Sequence, residues 1–162
     1  MRSCTNSEKG CFAFMEEDSD IIEKMNALLR EKAKEIYSEK IVDYGSNPRH
    51  YGTIDGPDGY ARMPDECGKD LEMFLQAENG KIEDAKFTAG GCIFTVAACN
   101  AAAEMSIGRS LHECLRINVS SIMEHLGGLP KDHLHCAMRA ALLFQRALKE
   151  CILKNKKSTA IV

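Results

Sequence analysis

Apolar positions along this chain follow two rhythms. Between Asp20 and Tyr44, the residues Ile21, Ile22, Met25, Leu28, Leu29, Ala33 and Ile36 recur mostly at the three- and four-residue spacing of one helical face. Asp20 followed by Glu23 makes a capping-box-like start, and Gly45-Ser46-Asn47-Pro48 stops the pattern. The spacing predicts one amphipathic helix running to about Tyr44, with an oily face that must cover the domain core or a partner. The rhythm then shortens. Tyr60-Ala61-Arg62-Met63 is a short strand candidate after the glycine- and proline-rich stretch from Tyr51, and Leu71 to Glu78 alternates Leu71, Met73, Leu75 and Ala77 with polar or outward positions. Asn79-Gly80 is a two-residue hairpin signal, and Lys81 to Thr88 returns with Ile82, Ala85 and Phe87.

Helical spacing resumes after Cys92 through Ile93, Val96, Ala97, Asn100, Ala101 and Met105, with Gly108 as the expected stop. Ser110 with Glu113 is a second capping box, opening a short helix near Leu111 to Ile117, and another is expected from Ser121 to Leu126. A last helix should begin near Lys131 or Asp132 and reach about Lys154. Strands followed by helices without regular alternation indicate an α+β fold: a small antiparallel sheet of about three strands, helices packed on one face, and an extra N-terminal helix. Residues 1–18 show no periodicity and are expected to be a mobile tail, followed by a helical extension over residues 19–35. Residues 154–162 are expected to form a basic C-terminal tail.

Charge and composition narrow the function classes. The 162 residues carry a formal charge of −3, and the main basic concentration is Lys154, Lys156 and Lys157, so nucleic acid is not an expected partner. No apolar run reaches the roughly 18 residues of a membrane span, and the N-terminal stretch lacks the apolar core of a signal peptide. The expected location is cytoplasmic. The eight cysteines at 4, 11, 67, 92, 99, 114, 136 and 151 then read better as reduced thiols than as a disulfide framework.

Three of those cysteines have marked surroundings. Cys92 follows Gly90-Gly91 and opens a helix, where unpaired amides and the helix dipole favour a thiolate. Cys67 stands in Glu66-Cys67-Gly68-Lys69-Asp70 and Cys136 in Leu134-His135-Cys136-Ala137. Three thiols and one imidazole suit zinc, or a cluster held by cysteine with one substituted ligand. Cys99, Cys114 and Cys151 fall within helix patterns and read as packing residues. So do His50, His112, His125 and His133, as surface or packing histidines, while Cys4 and Cys11, with six residues between them, match no compact ligand pair.

The order Ile36 to Tyr44, Asn47-Pro48-Arg49, Cys67-Gly68, Asn79 to Phe87, Gly91-Cys92, Gly108-Arg109-Ser110-Leu111 and Leu129-Pro130 followed by His135-Cys136 resembles the IscU/NifU N-terminal family of iron-sulfur cluster assembly scaffolds. The resemblance covers about residues 36–153. It implies a non-enzymatic scaffold that accepts sulfur from a cysteine desulfurase together with iron, holds a [2Fe-2S]-type cluster and passes it to apoproteins. Under it, Cys67, Cys92, Cys136 and His135 are the ligands; separately, the oily face from Ile21 to Ile36 makes a homodimer a further partner option.

Two departures stand out. Lys69 replaces the family's aspartate, with Asp70 the nearest substitute carboxylate, so both are expected to modulate the site. Leu129-Pro130-Lys131-Asp132-His133 replaces the Leu-Pro-Pro-Val-Lys segment that a dedicated Hsp70 chaperone recognises, which argues against that partner. The alternatives are a zinc-containing sulfur acceptor, or a degenerate scaffold acting as a desulfurase-binding adaptor. The first is a sulfurtransferase branch that carries an insertion between its second and third cysteines, for which the 44-residue step from Cys92 to Cys136 leaves no room.

Overall fold

The computed structural model describes residues 20–29, 31–32, 37–64 and 70–160, with side chains through residue 157. The expected tail with Cys4 and Cys11, and the site candidates Cys67 and Lys69, lie outside the described residues. The chain divides into two units, Met1–Tyr37 and Ser38–Val162. In the first, residues 20–29 form helix α1, which carries an Asp20–Lys24 ion pair at 2.9 Å and exposes Ile21, Ile22, Met25, Leu28 and Leu29.

The single helix expected from Asp20 to Tyr44 is not continuous. Residues 37–38 are non-helical, and a separate helix α2 spans Glu39–Ser46. Ser38 makes the break: its Oγ accepts the Ile41 amide at 3.3 Å as an N-cap and also donates to the Leu126 carbonyl at the far end of another helix. Burial of Ile41, Val42 and Tyr44 then fixes α2 against the rest of the second unit.

That unit is built on a three-stranded antiparallel sheet in the order β1 (Gly59–Met63), β2 (Leu71–Glu78), β3 (Lys81–Thr88). Asn79 and Gly80 join β2 to β3 with positive φ values of 53° and 76°, matching a tight turn whose twist suits the hairpin. Registers Gly59↔Leu75, Met73↔Phe87 and Leu75↔Ala85 put Leu71, Met73, Leu75, Ile82, Ala85 and Phe87 on one face, all fully buried. On the opposite face, the Glu72 carboxylate accepts from Tyr60 Oη at 2.6 Å and Thr88 Oγ1 at 2.8 Å.

Two helices cover the inner face, α3 (Ile93–Ser106) and α6 (Leu134–Ala160). Helix α3 is buried nearly all round through Ala97, Ala98, Cys99, Ala101, Ala102 and Ala103, so its small side chains let α2, α6 and β3 approach it from different sides. Helix α6 buries Ala137, Ala140, Leu143, Phe144, Ala147, Leu148 and Cys151 against α3 and strands β1 and β2. Gly59 is needed where α6 crosses β1, because a Cβ there would fall 2.2 Å from the Ala147 carbonyl oxygen.

The short helix α4 (Leu111–Cys114) carries the expected Ser110–Glu113 capping box. Helix α5 (Val119–Leu126) begins two residues earlier than its apolar spacing suggests, since Asn118 and Ser121 cap each other, and it ends at Gly127 in the left-handed conformation. A 3-10 turn over Lys131–His133 leads into α6, which continues past the expected Lys154. Among the described residues no helix is long and apolar enough to cross a membrane.

Candidate metal centre

Two helix N-termini meet at the site. Cys92 is the N-cap of α3, reached through Gly91 at φ 132°, a conformation that side-chain-bearing residues rarely adopt. Cys136 lies in the first turn of α6. Their sulfurs are 3.6 Å apart. Both positions sit where unpaired amides and positive dipole ends concentrate, so the pair occupies a field that favours sulfur anions.

The two thiols are nevertheless unlike. Burial pushes Cys92 up, but the Thr95 hydroxyl at 3.3 Å, the Thr95 amide, Cys136 and the Phe94 amide outweigh it, and its pKa ends below the ordinary thiol value. Burial raises Cys136 to about 11, with Thr95 opposing and the neighbouring Cys92 adding to the rise. Cys92 is solvent-accessible, whereas Cys136 is fully buried. The arrangement sets an accessible thiol biased toward ionisation 3.6 Å from a buried thiol biased against it.

An imidazole completes the cluster, and it comes from a position the sequence reading treated as packing. Ligand atoms of Cys92, His133 and Cys136 all lie within 4.8 Å of one another. His133 ends the 3-10 turn, with its amide bonded to the Pro130 carbonyl at 2.9 Å and its ring stacked on Phe94, centroids 3.9 Å apart. Its Nδ1 is buried without a hydrogen-bond partner among the described residues. His135 is exposed; its Nε2 stands 3.5 Å from Cys136 Sγ, and it lines an apolar groove with Leu115, Val119, Met138 and Leu142. It is not one of the three clustered ligands.

Spacing could have flagged His133, since it sits three residues before Cys136, a step that brings side chains to the same helical side. Thr95 was also missed; it stands three residues after Cys92, the reach of a capping contact. In the sequence, residues 65–69, which include Cys67 and Lys69, are flanked by two tethered residues. The Pro64 carbonyl accepts from Arg139 of α6, and Asp70 is paired with Arg62 of β1. Cys114 and Cys151 are fully buried, and burial raises each to about 11. Cys99 is likewise fully buried. Thiolates and imidazole are donors for iron or zinc, so the clustered residues fit such a metal.

Residues 36–158 match the family model described as the NifU-like N terminal domain. The iron-sulfur cluster assembly scaffold protein IscU 1 of Archaeoglobus fulgidus is 36% identical over 123 residues, covering 75% of this chain and 80% of the relative. The scaffold protein IscU of Azotobacter vinelandii is 35% identical over 127 residues, 75% of this chain and 96% of its own. A Drosophila melanogaster relative, 31% identical over 153 residues and covering 86% of this chain and 98% of its own, is called an iron-sulfur cluster assembly enzyme. In fold, the chain is similar to a putative SUF-system iron-sulfur cluster assembly scaffold from Fervidobacterium islandicum, with a TM-score of 0.57 at 23% identity over 70% of this chain and 96% of the other.

Proposed function

The chain belongs to the NifU-like N-terminal domain family, and from that premise we propose that it is a scaffold for iron-sulfur cluster assembly. The observation that carries the reading is the Cys92–Cys136 pair, two sulfurs 3.6 Å apart of which one is accessible and favours the thiolate. A cysteine desulfurase is the sulfur donor in this account. The Cys92 thiolate attacks the outer sulfur of the donor's persulfide, the donor's S–S bond breaks as a new one forms on Cys92, and the donor cysteine leaves as a thiolate. Reduction of that sulfur to sulfide draws electrons from ferrous iron and an external electron donor.

Cys67, Cys92 and Cys136 then hold the cargo, a [2Fe-2S]-type cluster that is later passed to apoproteins, with one imidazole from the His133-Leu134-His135 run as the remaining donor. The family resemblance carries that role to His135. Lys69 slows release by hydrogen-bonding to anionic sulfur, while Asp70 is paired with Arg62. The protein's own contribution is to position the donors where two helix N-termini favour anionic sulfur. Anaerobic reconstitution of the full chain with ferrous iron, cysteine and a desulfurase tests the reading: Mössbauer spectra and native mass spectrometry should report a [2Fe-2S] cluster. A protein that takes up zinc but assembles no cluster would point instead to a sulfur acceptor.

A further inference from the structure

We infer that His133, rather than His135, is the imidazole donor that completes the metal site with Cys92 and Cys136, an inference that rests on the scaffold reading above. Cys92 and Cys136 already stand at the right separation. Donor atoms about 2.0–2.3 Å from a tetrahedral metal lie about 3.3–3.8 Å from each other, and the two sulfurs are 3.6 Å apart. The ligand atoms of the His133 trio all lie within 4.8 Å, so a closure of about 1 Å brings them to that spacing.

Among the described residues, one ring nitrogen of the half-buried His133, Nδ1, lacks the partner that a buried polar atom ordinarily has. An imidazole nitrogen shut away from water without a hydrogen bond costs stability, and His133 Nδ1 has no such bond among the described residues. Stacking on Phe94 holds the ring in place, and Phe94 belongs to the first turn of α3, directly after Cys92. One turn of helix thus presents the thiolate and clamps the imidazole, leaving little rotamer entropy to lose on binding. His135, by contrast, is exposed, lines the apolar groove, and stands 3.5 Å from Cys136 Sγ without joining the three clustered donors. The ligand class is a thiophilic divalent cation, or the iron of a cluster.

Co(II) provides the probe, because thiolate ligation gives charge-transfer bands and tetrahedral geometry gives intense d–d bands. The reduced, full-length protein is titrated anaerobically as wild type, His133→Phe, His135→Ala and Cys92→Ser. His133→Phe keeps the stacking ring and removes both nitrogens. It should bind Co(II) more weakly by about tenfold or more, since even losing an outer-shell partner of a ligand costs about that much. The metal-free His133→Phe protein should melt no lower than wild type, because an unpartnered buried nitrogen has gone. His135→Ala should weaken binding less, and pulsed EPR of its bound Co(II) should still show a directly coordinated imidazole nitrogen, a readout that stands even if His133→Phe fails to fold. An equal or larger loss in His135→Ala, or the absence of coordinated nitrogen in that variant, overturns the inference while a Cys92-dependent thiolate band keeps the scaffold reading intact. If wild type shows no Cys92-dependent band at all, the scaffold reading fails and the inference falls with it.

Discussion

Cys92 Sγ and Cys136 Sγ lie 3.6 Å apart and are driven in opposite directions, Cys92 below the ordinary thiol pKa and Cys136 up to about 11. Burial acts against ionisation at both. The Thr95 hydroxyl favours ionisation at both; what separates them is that Cys92 is also stabilised by the Thr95 and Phe94 amides and by Cys136, whereas its contact with Cys92 raises Cys136. Under the proposed scaffold function, this asymmetry would let Cys92 react with sulfur before Cys136 is engaged.

The asymmetry predicts the order of modification. At neutral pH, iodoacetamide should label Cys92 well before Cys136, since the thiolate is the nucleophile and Cys136 is fully buried. Thr95→Val removes a hydrogen bond to the thiolate, so the Cys92 pKa should rise and labelling should slow at neutral pH, with the rate–pH curve moved to higher pH. Peptide mapping by mass spectrometry reads both. Faster or unchanged labelling in Thr95→Val would mean that the hydroxyl does not hold the thiolate.

A second network ties α2 to α3 and α5 and gives acid sensitivity a specific source. Burial raises the Glu104 pKa, but hydrogen bonds from Tyr44 Oη and His125 Nε2 outweigh it and leave it below its ordinary value of 4.5. The same contact, with burial as the larger cause, pushes Tyr44 up to about 12. A depressed carboxylate pKa stabilises the fold above the ordinary value, and the contribution is lost as pH falls through the folded-state value. Glu104→Gln should therefore lose about 1 kcal/mol near neutral pH, and its deficit in urea melts should shrink in acid. A deficit independent of pH would assign the loss to packing.

Packing of α6 on β1 depends on a missing side chain. A Cβ at Gly59 would stand 2.2 Å from the Ala147 carbonyl oxygen and 2.9 Å from Cys151 Cβ. Neither neighbour is the flexible end of a long side chain, so Gly59→Ala must push the helix off the strand at a cost of about 1–3 kcal/mol. Thermal unfolding followed by circular dichroism should show a clear drop in midpoint. A melt superimposable on wild type would mean that β1 and α6 are not held this closely.

Lys69, which stands where the resemblance expects an aspartate, gives a further test. A lysine keeps its proton beside anionic sulfur and can hydrogen-bond to it but does not ligate as a carboxylate does, so Lys69→Asp should speed cluster transfer to an apo-ferredoxin and shorten cluster lifetime under a chelator. Asp70 is paired with Arg62, so Asp70→Ala should change both rates little. The reverse pattern, with assembly lost in Asp70→Ala and both rates unchanged in Lys69→Asp, would make Asp70 the working carboxylate.

Local signals carried most of the fold. The bounds of β2 and β3 follow directly from alternation and the Asn79-Gly80 turn, and the Ser110–Glu113 box starts α4 where its spacing says. The break before α2 was not legible, because Ser38 is fixed partly by the Leu126 carbonyl, 88 residues further along the chain. The site divides the same way. Cys92 and Cys136 stand out by their glycine and histidine neighbours, whereas the inward place of His133 depends on the Phe94 ring of another helix, and no pattern near His133 encodes that contact.

Cluster retention by Cys92→Ser, measured against wild type, bears most directly on the scaffold assignment. Both proteins are reconstituted anaerobically with ferrous iron, cysteine and a desulfurase, then challenged with a chelator while charge-transfer absorption and bound iron and sulfide are followed. Wild type should retain a [2Fe-2S] cluster, and Cys92→Ser should assemble little and lose it quickly, with Cys114→Ser matching wild type. Wild-type yield and lifetime in Cys92→Ser would contradict the account.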